Sequence, residues 1–194
     1  LEKPVYSRRQ PLWHVAALNV LTLFGYSLVW FYKNWKDLAK FAKSSSLHEF
    51  YPDVNDLAVQ KTFDNLKKMR LWLNTVGLML PFVQAYFAGL FFLQVAQISP
   101  KRQFPPLNTA LVLLITMMLL LELHNLPGIL SLLFLLATAP LVFAQDLLNS
   151  YWQSVEPSNL TIRQAFSASE LVFMIVGSIT LGLTLTGIVL GIGS

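Results

Sequence analysis

The feature that most constrains this chain is a pair of apolar runs in residues 108–152, NTALVLLITMMLLLELHNLPGILSLLFLLATAPLVFAQDLLNSYW. Each run is near the length that a hydrocarbon core demands. Only His124, Asn125, Leu126, Pro127 and Gly128 join them. Backbone polar groups in lipid must bond within their own segment, so two such runs can only lie side by side as an antiparallel helical hairpin. The fold class expected is therefore an all-α integral membrane protein.

Composition agrees. Of 194 residues, 55% are hydrophobic and 12% are charged, about half the charged fraction of an ordinary globular domain. The formal net charge of +4 is concentrated in the N-terminal third, where a cytoplasmic, lipid-facing surface would carry it; nucleic acid is a poor alternative partner. Cysteine is absent, which removes disulfides, thiolate metal sites and cysteine nucleophiles. No spacing suited to a metal, a nucleophile or a phosphate loop occurs, so no metal or cofactor is expected. The chain opens with Leu1 without a signal-peptide pattern, as a mature or trimmed chain would.

The remaining segments read as one membrane domain over residues 1–194. A first hydrophobic segment occupies residues 11–32, with Trp13 near one end and Trp30, Tyr32 and Trp35 near the other, where amphipathic rings favour headgroups. Residues 33–70 form a basic amphipathic segment, expected on the cytoplasmic face. Its first part sets Trp35, Leu38 and Phe41 among Lys36, Lys40 and Lys43 at helical spacing, as a helix lying on the membrane would. Ser44, Ser45 and Ser46 should break that helix, and a second amphipathic helix from about Asp56 aligns Val59, Phe63, Leu66 and Met69.

Residues 71–194 are expected to supply four spans, at about 71–98, 108–126, 128–149 and 169–192. Pro81 should kink the first, whose Asn74, Gly77, Pro81, Gln84 and Ala88 make one polar, small-residue face directed at other helices. Asn108 is placed to cap the second. Along the third, Ser131, Thr138, Gln145 and Trp152 recur at seven-residue steps, and Asn149 joins them. Ser167, Ala168, Ser169 and Glu170 form a capping box at the start of the last. That helix carries a packing ridge of Ser178, Gly182 and Thr186, with Gly187 and Gly191 as a GxxxG pair.

The first segment has two readings. If it spans, eight cations between Lys33 and Arg70 face six on the other side, namely Lys3, Arg8, Arg9, Lys101, Arg102 and Arg163. If it bends near Phe24 and Gly25 and leaves by the face it entered, the division becomes eleven to three, closer to the positive-inside rule. A fifth span and a re-entrant hairpin both remain open, the latter needing other helices to cover the backbone at the bend.

Thr22, Leu23, Phe24, Gly25 and Tyr26, followed by Trp30, Tyr32 and the Lys33 to Lys36 exit, resemble the opening of a family of small uncharacterised bacterial polytopic membrane proteins. Its pattern is Thr, Gly-hydrophobic-Tyr, then aromatics ending in Trp. Here Phe24 stands where glycine is usual and Gly25 comes one place late. Asn149, Ser150, Tyr151 and Trp152, with Arg163 and the Ser167 to Glu170 cap, are similar to longer, cyanobacterial-type members. The resemblance implies a protein of a bacterial inner or thylakoid membrane and supplies no activity.

Ionisable groups in or beside spans are the first functional candidates, because burying them in hydrocarbon is costly. Glu122 and His124 could form a proton relay, or sit as an ordinary carboxylate and imidazole in a wet turn. Gln145, Asp146, Asn149, Tyr151 and Trp152 gather donors, acceptors and rings at one helix end, either as a pocket for a lipid headgroup or small ligand or as an amphipathic exit. Trp35, Lys36 and Lys40 are candidates for lipid contact. Gln84 could line a solute path or serve as an interhelical hydrogen bond. His14 reads as interfacial.

By elimination, the expected function is non-enzymatic: an accessory, assembly or scaffold component of a membrane complex, with membrane lipids and a protein partner or second copy as its partners. A small-solute, proton or lipid transporter is the alternative, and a membrane-embedded lipid-modifying enzyme a further one.

Overall fold

The computed structural model describes residues 6–44, 57–101 and 104–190. Among these the regular secondary structure is helical, apart from one isolated bridge between Tyr6 and Thr161. Three helical stretches are long and apolar enough to cross a membrane: Pro106–Asn125, Gly128–Val155 and Ala168–Ile188. The two other apolar segments are each broken in two.

The first segment is the clearer case. Helix α1 (Leu12–Leu21) ends in a tight turn over residues 22–25, and α2 (Tyr26–Ser44) departs from it. Leu23 and Phe24 hold φ of 49° and 69°, a left-handed conformation that favours glycine and strains a Cβ-bearing residue. Thr22 holds the turn from both sides: its Oγ1 donates to the Leu18 carbonyl at 2.6 Å and accepts from the Tyr26 amide at 2.9 Å.

Helix α1 passes His14 beside Gln164 and reaches Thr22 beside Gly177, while α2 brings Tyr26 and then Lys33 back to Glu170. The two helices therefore run in opposite directions. Ten residues of α-helix rise about 15 Å, half of a hydrocarbon core.

The segment at 71–98, expected as one kinked span, divides into α4 (Leu71–Met79) and α5 (Pro81–Ile98). Pro81 lacks an amide donor and forces the residue before it out of the helical region; Leu80 sits at φ −94°, ψ 114°. The break is a fold and not a slight bend. A Cβ on Gly77 would lie 2.0 Å from the Phe87 ring, whereas ten residues of straight helix would hold them about 15 Å apart. Asn74, Gly77 and Ala88 are buried and Gln84 half-buried, so the small polar face turns into the bundle as expected.

The expected surface helix is corrected most. Trp35, Leu38 and Phe41 are 0%, 1% and 6% exposed, so this stripe is consumed by protein. On one side it meets α3 (Leu57–Lys68), which buries Val59, Phe63 and Leu66. On the other, Trp30, Phe31 and Trp35 pack edge-on against Phe91 in α5, with centroids 5.0 to 5.2 Å apart. Trp30 Nε1 donates to Gln145 Oε1 at 2.7 Å, and Trp35 Nε1 to Gln94 Oε1 at 2.9 Å. Of the anticipated interfacial rings, only Trp13 and Tyr32 stay exposed.

Helix α6 (Pro106–Leu121) begins ahead of Asn108, on Pro105 and Pro106, because proline suits the first helical turn. It tightens to 3-10 winding at Glu122–Asn125. After the turn, a second 3-10 stretch (Gly128–Ala137) leads into α7 (Thr138–Val155). Thr138, Gln145 and Trp152 are all buried, so their seven-residue stripe faces the bundle. Helix α8 (Ala168–Val189) opens with the expected capping box, Ser167 accepting from the Glu170 amide and Glu170 from the Ser167 amide.

These connections sort charge by end. Several cations gather towards one end: Lys101 meets Asp146, Lys33 and Arg163 meet Glu170, Arg8 stacks on Trp152, and α3 meets the last turn of α5 through Thr62 and Gln97. Glu122 and His124 occupy the far end.

Candidate functional site

The cationic end contains a cavity of about 450 Å³. Its outer wall is the extended chain ahead of α1, which is pinned at every step. Ser7 donates its amide to the Thr161 carbonyl at 3.0 Å and its hydroxyl to the Glu156 carboxylate, which also accepts from the Arg8 amide at 2.8 Å. Gln10 and Asn149 then exchange a reciprocal pair: the Gln10 amide donates to Asn149 Oδ1 at 3.0 Å, and Asn149 Nδ2 donates to the Gln10 carbonyl at 2.8 Å. Gln145 Nε2 donates to the same Asn149 oxygen at 2.9 Å while its own oxygen accepts from Trp30. One line of hydrogen bonds thus fixes the N-terminal wall to α7 and α2.

The floor is built on Glu170. Its carboxylate is 4% exposed and accepts from Arg163 on both oxygens, at 2.9 and 2.7 Å, and from the Ser167 amide at 2.7 Å. The Tyr26 hydroxyl approaches to 3.4 Å and Lys33 Nζ to 3.7 Å. The position at the first turn of α8 suits a carboxylate, and pairing with donors on every side makes its burial tolerable.

Around this floor the cavity is cationic. Arg8, Arg9, Lys33 and Arg163 line it against Asp37 and Glu170, an excess of two positive charges. Arg8 lays its guanidinium over Trp152 at 4.8 Å and Phe41 at 5.5 Å, which engages the face of the group and leaves its N–H edge available. Burial pushes the Asp37 carboxyl above the usual carboxylate range, against the opposing pull of Lys33, Arg8, Lys36 and Lys40. His14 is fully buried, stacked on Phe166 at 4.1 Å, with Nε2 donating to the Gln164 carbonyl at 3.0 Å. That bond places a hydrogen on Nε2, so in the neutral ring that so buried a site favours, Nδ1 carries the lone pair; neither Nδ1 nor Gln10 Nε2 has a partner among the described residues.

The residues singled out in the sequence distribute differently from a single pocket. Gln145 and Asn149 are structural wiring behind the cavity wall. Asp146 points elsewhere and pairs with Lys101. Tyr151 and Trp152 are packed inside, with Trp152 serving as the platform for Arg8. Trp35 is in the core, whereas Lys36 and Lys40 are exposed. Gln84 is half-buried on α5.

Glu122 and His124 are exposed at the opposite end, where Asn125 Nδ2 donates to Glu122 at 3.0 Å and His124 Nδ1 bonds the Leu121 carbonyl at 2.7 Å. Ser178 and Gly182 are exposed along α8, Gly187 is half-buried, and Gly191 lies outside the described residues.

Sequence reasoning missed Arg8, Arg9, Gln10, Tyr26 and Lys33 as parts of one site. The signals were present but scattered: basic residues just before and after the first segment converge only if that segment returns to the face it entered. The sequence matches no protein-family model, and no curated protein or solved structure is significantly similar to it.

Proposed function

We propose that this chain is a non-enzymatic integral membrane protein, an accessory, assembly or scaffold component that holds a partner helix against α8. Three helices cross the bilayer. The two broken segments fold back and leave by the face they entered, with residues 33–70 on the cytoplasmic face of a bacterial inner or thylakoid membrane, as the likeness of the first segment to small bacterial membrane proteins implies. This places the basic groups on one side, as the positive-inside rule requires.

The observation that carries the reading is the state of α8. Beyond Gly177 no described residue of this helix is buried, and a Cβ added at Gly182 would meet nothing within 4 Å. Ser178, Gly182 and Thr186 form an outward ridge of small side chains, a surface that lets a second helix approach closely. The test is blue-native electrophoresis of the protein extracted in mild detergent from its own membrane. Gly182→Leu should release the larger assembly while leaving the thermal stability of the chain itself unchanged. An assembly that survives Gly182→Leu and Ser178→Leu removes α8 as the partner surface.

Transport is the second reading, favoured by the two broken helices, a feature of transporter binding sites, and by buried Asn19 Oδ1 and Thr138 Oγ1, which lack partners among the described residues. Against it, the space between α2 and α5 is filled by Trp30, Phe31, Phe91 and Phe92. Proton or solute flux in proteoliposomes that is lost in Gln84→Leu would favour transport over scaffolding.

A further inference from the structure

We infer that the cationic cavity is a binding site for the phosphate ester of a polyol, a chemistry that a glycerol-phosphate lipid headgroup or its free counterpart would supply. The inference goes beyond the partner-helix reading and needs no partner.

Charge comes first. Of the four cations, Arg163 is committed to Glu170, whereas Lys33 Nζ stands 3.7 Å from that carboxylate and Arg8 has no side-chain acceptor among the described residues. The free edge of a stacked guanidinium and an ammonium lining the same cavity match the fork and point-charge recognition of phosphate oxygens. Arg8 is also held in place, by the hydrogen bond its backbone N–H donates to Glu156 and by two aromatic faces, so ordering it costs little on binding.

Hydroxyl recognition comes second. Gln10 and His14 line the cavity, are 5% and 0% exposed, and leave one donor and one acceptor nitrogen unpartnered. Unpaired buried groups are costly, and a hydroxyl, which donates and accepts, satisfies both. The volume, within the range of small-molecule sites, leaves room for a polyol beyond the phosphate. Val29 and Phe173 complete the lining, and Phe173 leads to the exposed Leu171 and Val172 on α8, an apolar path along which acyl chains can lie.

The test uses the full chain in nanodiscs of phosphatidylcholine containing a minor fraction of phosphatidylglycerol, with retained lipid counted by native mass spectrometry. Retention of phosphatidylglycerol over phosphatidylcholine is expected. Lys33→Gln and Arg8→Gln should each weaken it about tenfold, the worth of a charged hydrogen bond. His14→Phe should abolish the preference for phosphatidylglycerol over phosphatidic acid while keeping the preference for anionic lipid. Lys33 is partly exposed, so its variant tests the site even if Arg8→Gln fails to fold. Free glycerol phosphate that displaces the lipid at equal affinity identifies a soluble ligand of the same chemistry. Equal retention of phosphatidylcholine, or anionic retention unchanged in Lys33→Gln, overturns the inference, and neither result bears on the assembly measured through Gly182.

Discussion

Gly177 of α8 faces the carbonyl oxygen of Leu21 so closely that a Cβ at Gly177 would stand 2.6 Å from that oxygen and 2.8 Å from the Thr22 Cα. Both are backbone atoms at the tip of the first hairpin, where Leu23 and Phe24 already hold positive φ, so neither can withdraw cheaply. Gly177→Ala is expected to destabilise the chain by about 1–3 kcal/mol, the usual cost of overpacking. Gly182→Ala on the same helix should change stability by less than about 0.5 kcal/mol. Thermal unfolding in detergent of the two variants side by side checks this.

The second fold-back rests on the other crowded glycine. A methyl group at Gly77 meets the Phe87 ring, which is a side chain and can be trimmed. Gly77→Ala should therefore destabilise, and Phe87→Leu in the same chain should recover part of the loss. The two effects are expected to be non-additive by about 0.5–3 kcal/mol, the range for residues in contact. Additive effects in a double-mutant cycle would mean that α4 and α5 do not pack at this point.

Much of the architecture was legible in the sequence, and the reasons differ by element. The 108–152 pair, the α8 capping box and the buried Thr138, Gln145 and Trp152 stripe follow from local chemistry and period. The bend near Phe24 and Gly25 could be posed from charge counting. It could not be decided, because what covers the bend is α8, some 150 residues away. The stripe of Trp35, Leu38 and Phe41 was misread for a related reason. An apolar face on a basic helix looks alike whether it meets lipid or the aromatic rings of Phe91 and Phe92. The cavity was hidden most completely, since its cations come from residues 8, 9, 33 and 163 and only the hairpin brings them together.

The Trp30 to Gln145 hydrogen bond is fully buried at both ends. Gln145→Leu would strand the indole N–H in the core and also remove a donor to Asn149, so a loss of about 1–3 kcal/mol is expected for the unsatisfied group. Trp30→Phe combined with Gln145→Leu removes both partners and should be milder than the sum of the single changes. Chemical unfolding followed by the fluorescence of the remaining tryptophans reads both.

Asp37 gives a pH dependence of defined sign. Its carboxyl titrates above the ordinary value because burial penalises the charged form more than Lys33, Arg8, Lys36 and Lys40 favour it. As pH rises from below about 4, the unfolded chain releases this proton before the folded one. The stability contribution is complete below the unfolded value and is lost as pH rises through the folded one. Asp37→Asn should therefore be more stable than the parent at neutral pH, with the advantage shrinking towards acid pH. Melting temperatures of the pair across that range, without a difference at neutrality, would show that Asp37 is fully solvated.

The absence of cysteine makes the membrane arrangement directly testable by single-cysteine labelling. Lys61 lies on α3 ahead of the second broken segment, and Lys101 follows it. If residues 71–98 cross the bilayer, Lys61→Cys and Lys101→Cys react with an impermeant maleimide from opposite sides. If they fold back at Leu80, both react from one side, together with Arg9→Cys and Ser158→Cys, while Asn125→Cys reacts only from the other. The second outcome is expected, because Thr62 meets Gln97 and Lys101 meets Asp146 at the same end of the bundle as Arg163 and Glu170. Opposite labelling of positions 61 and 101 would return the chain to four or five spans and separate the α3 cations from those of the cavity.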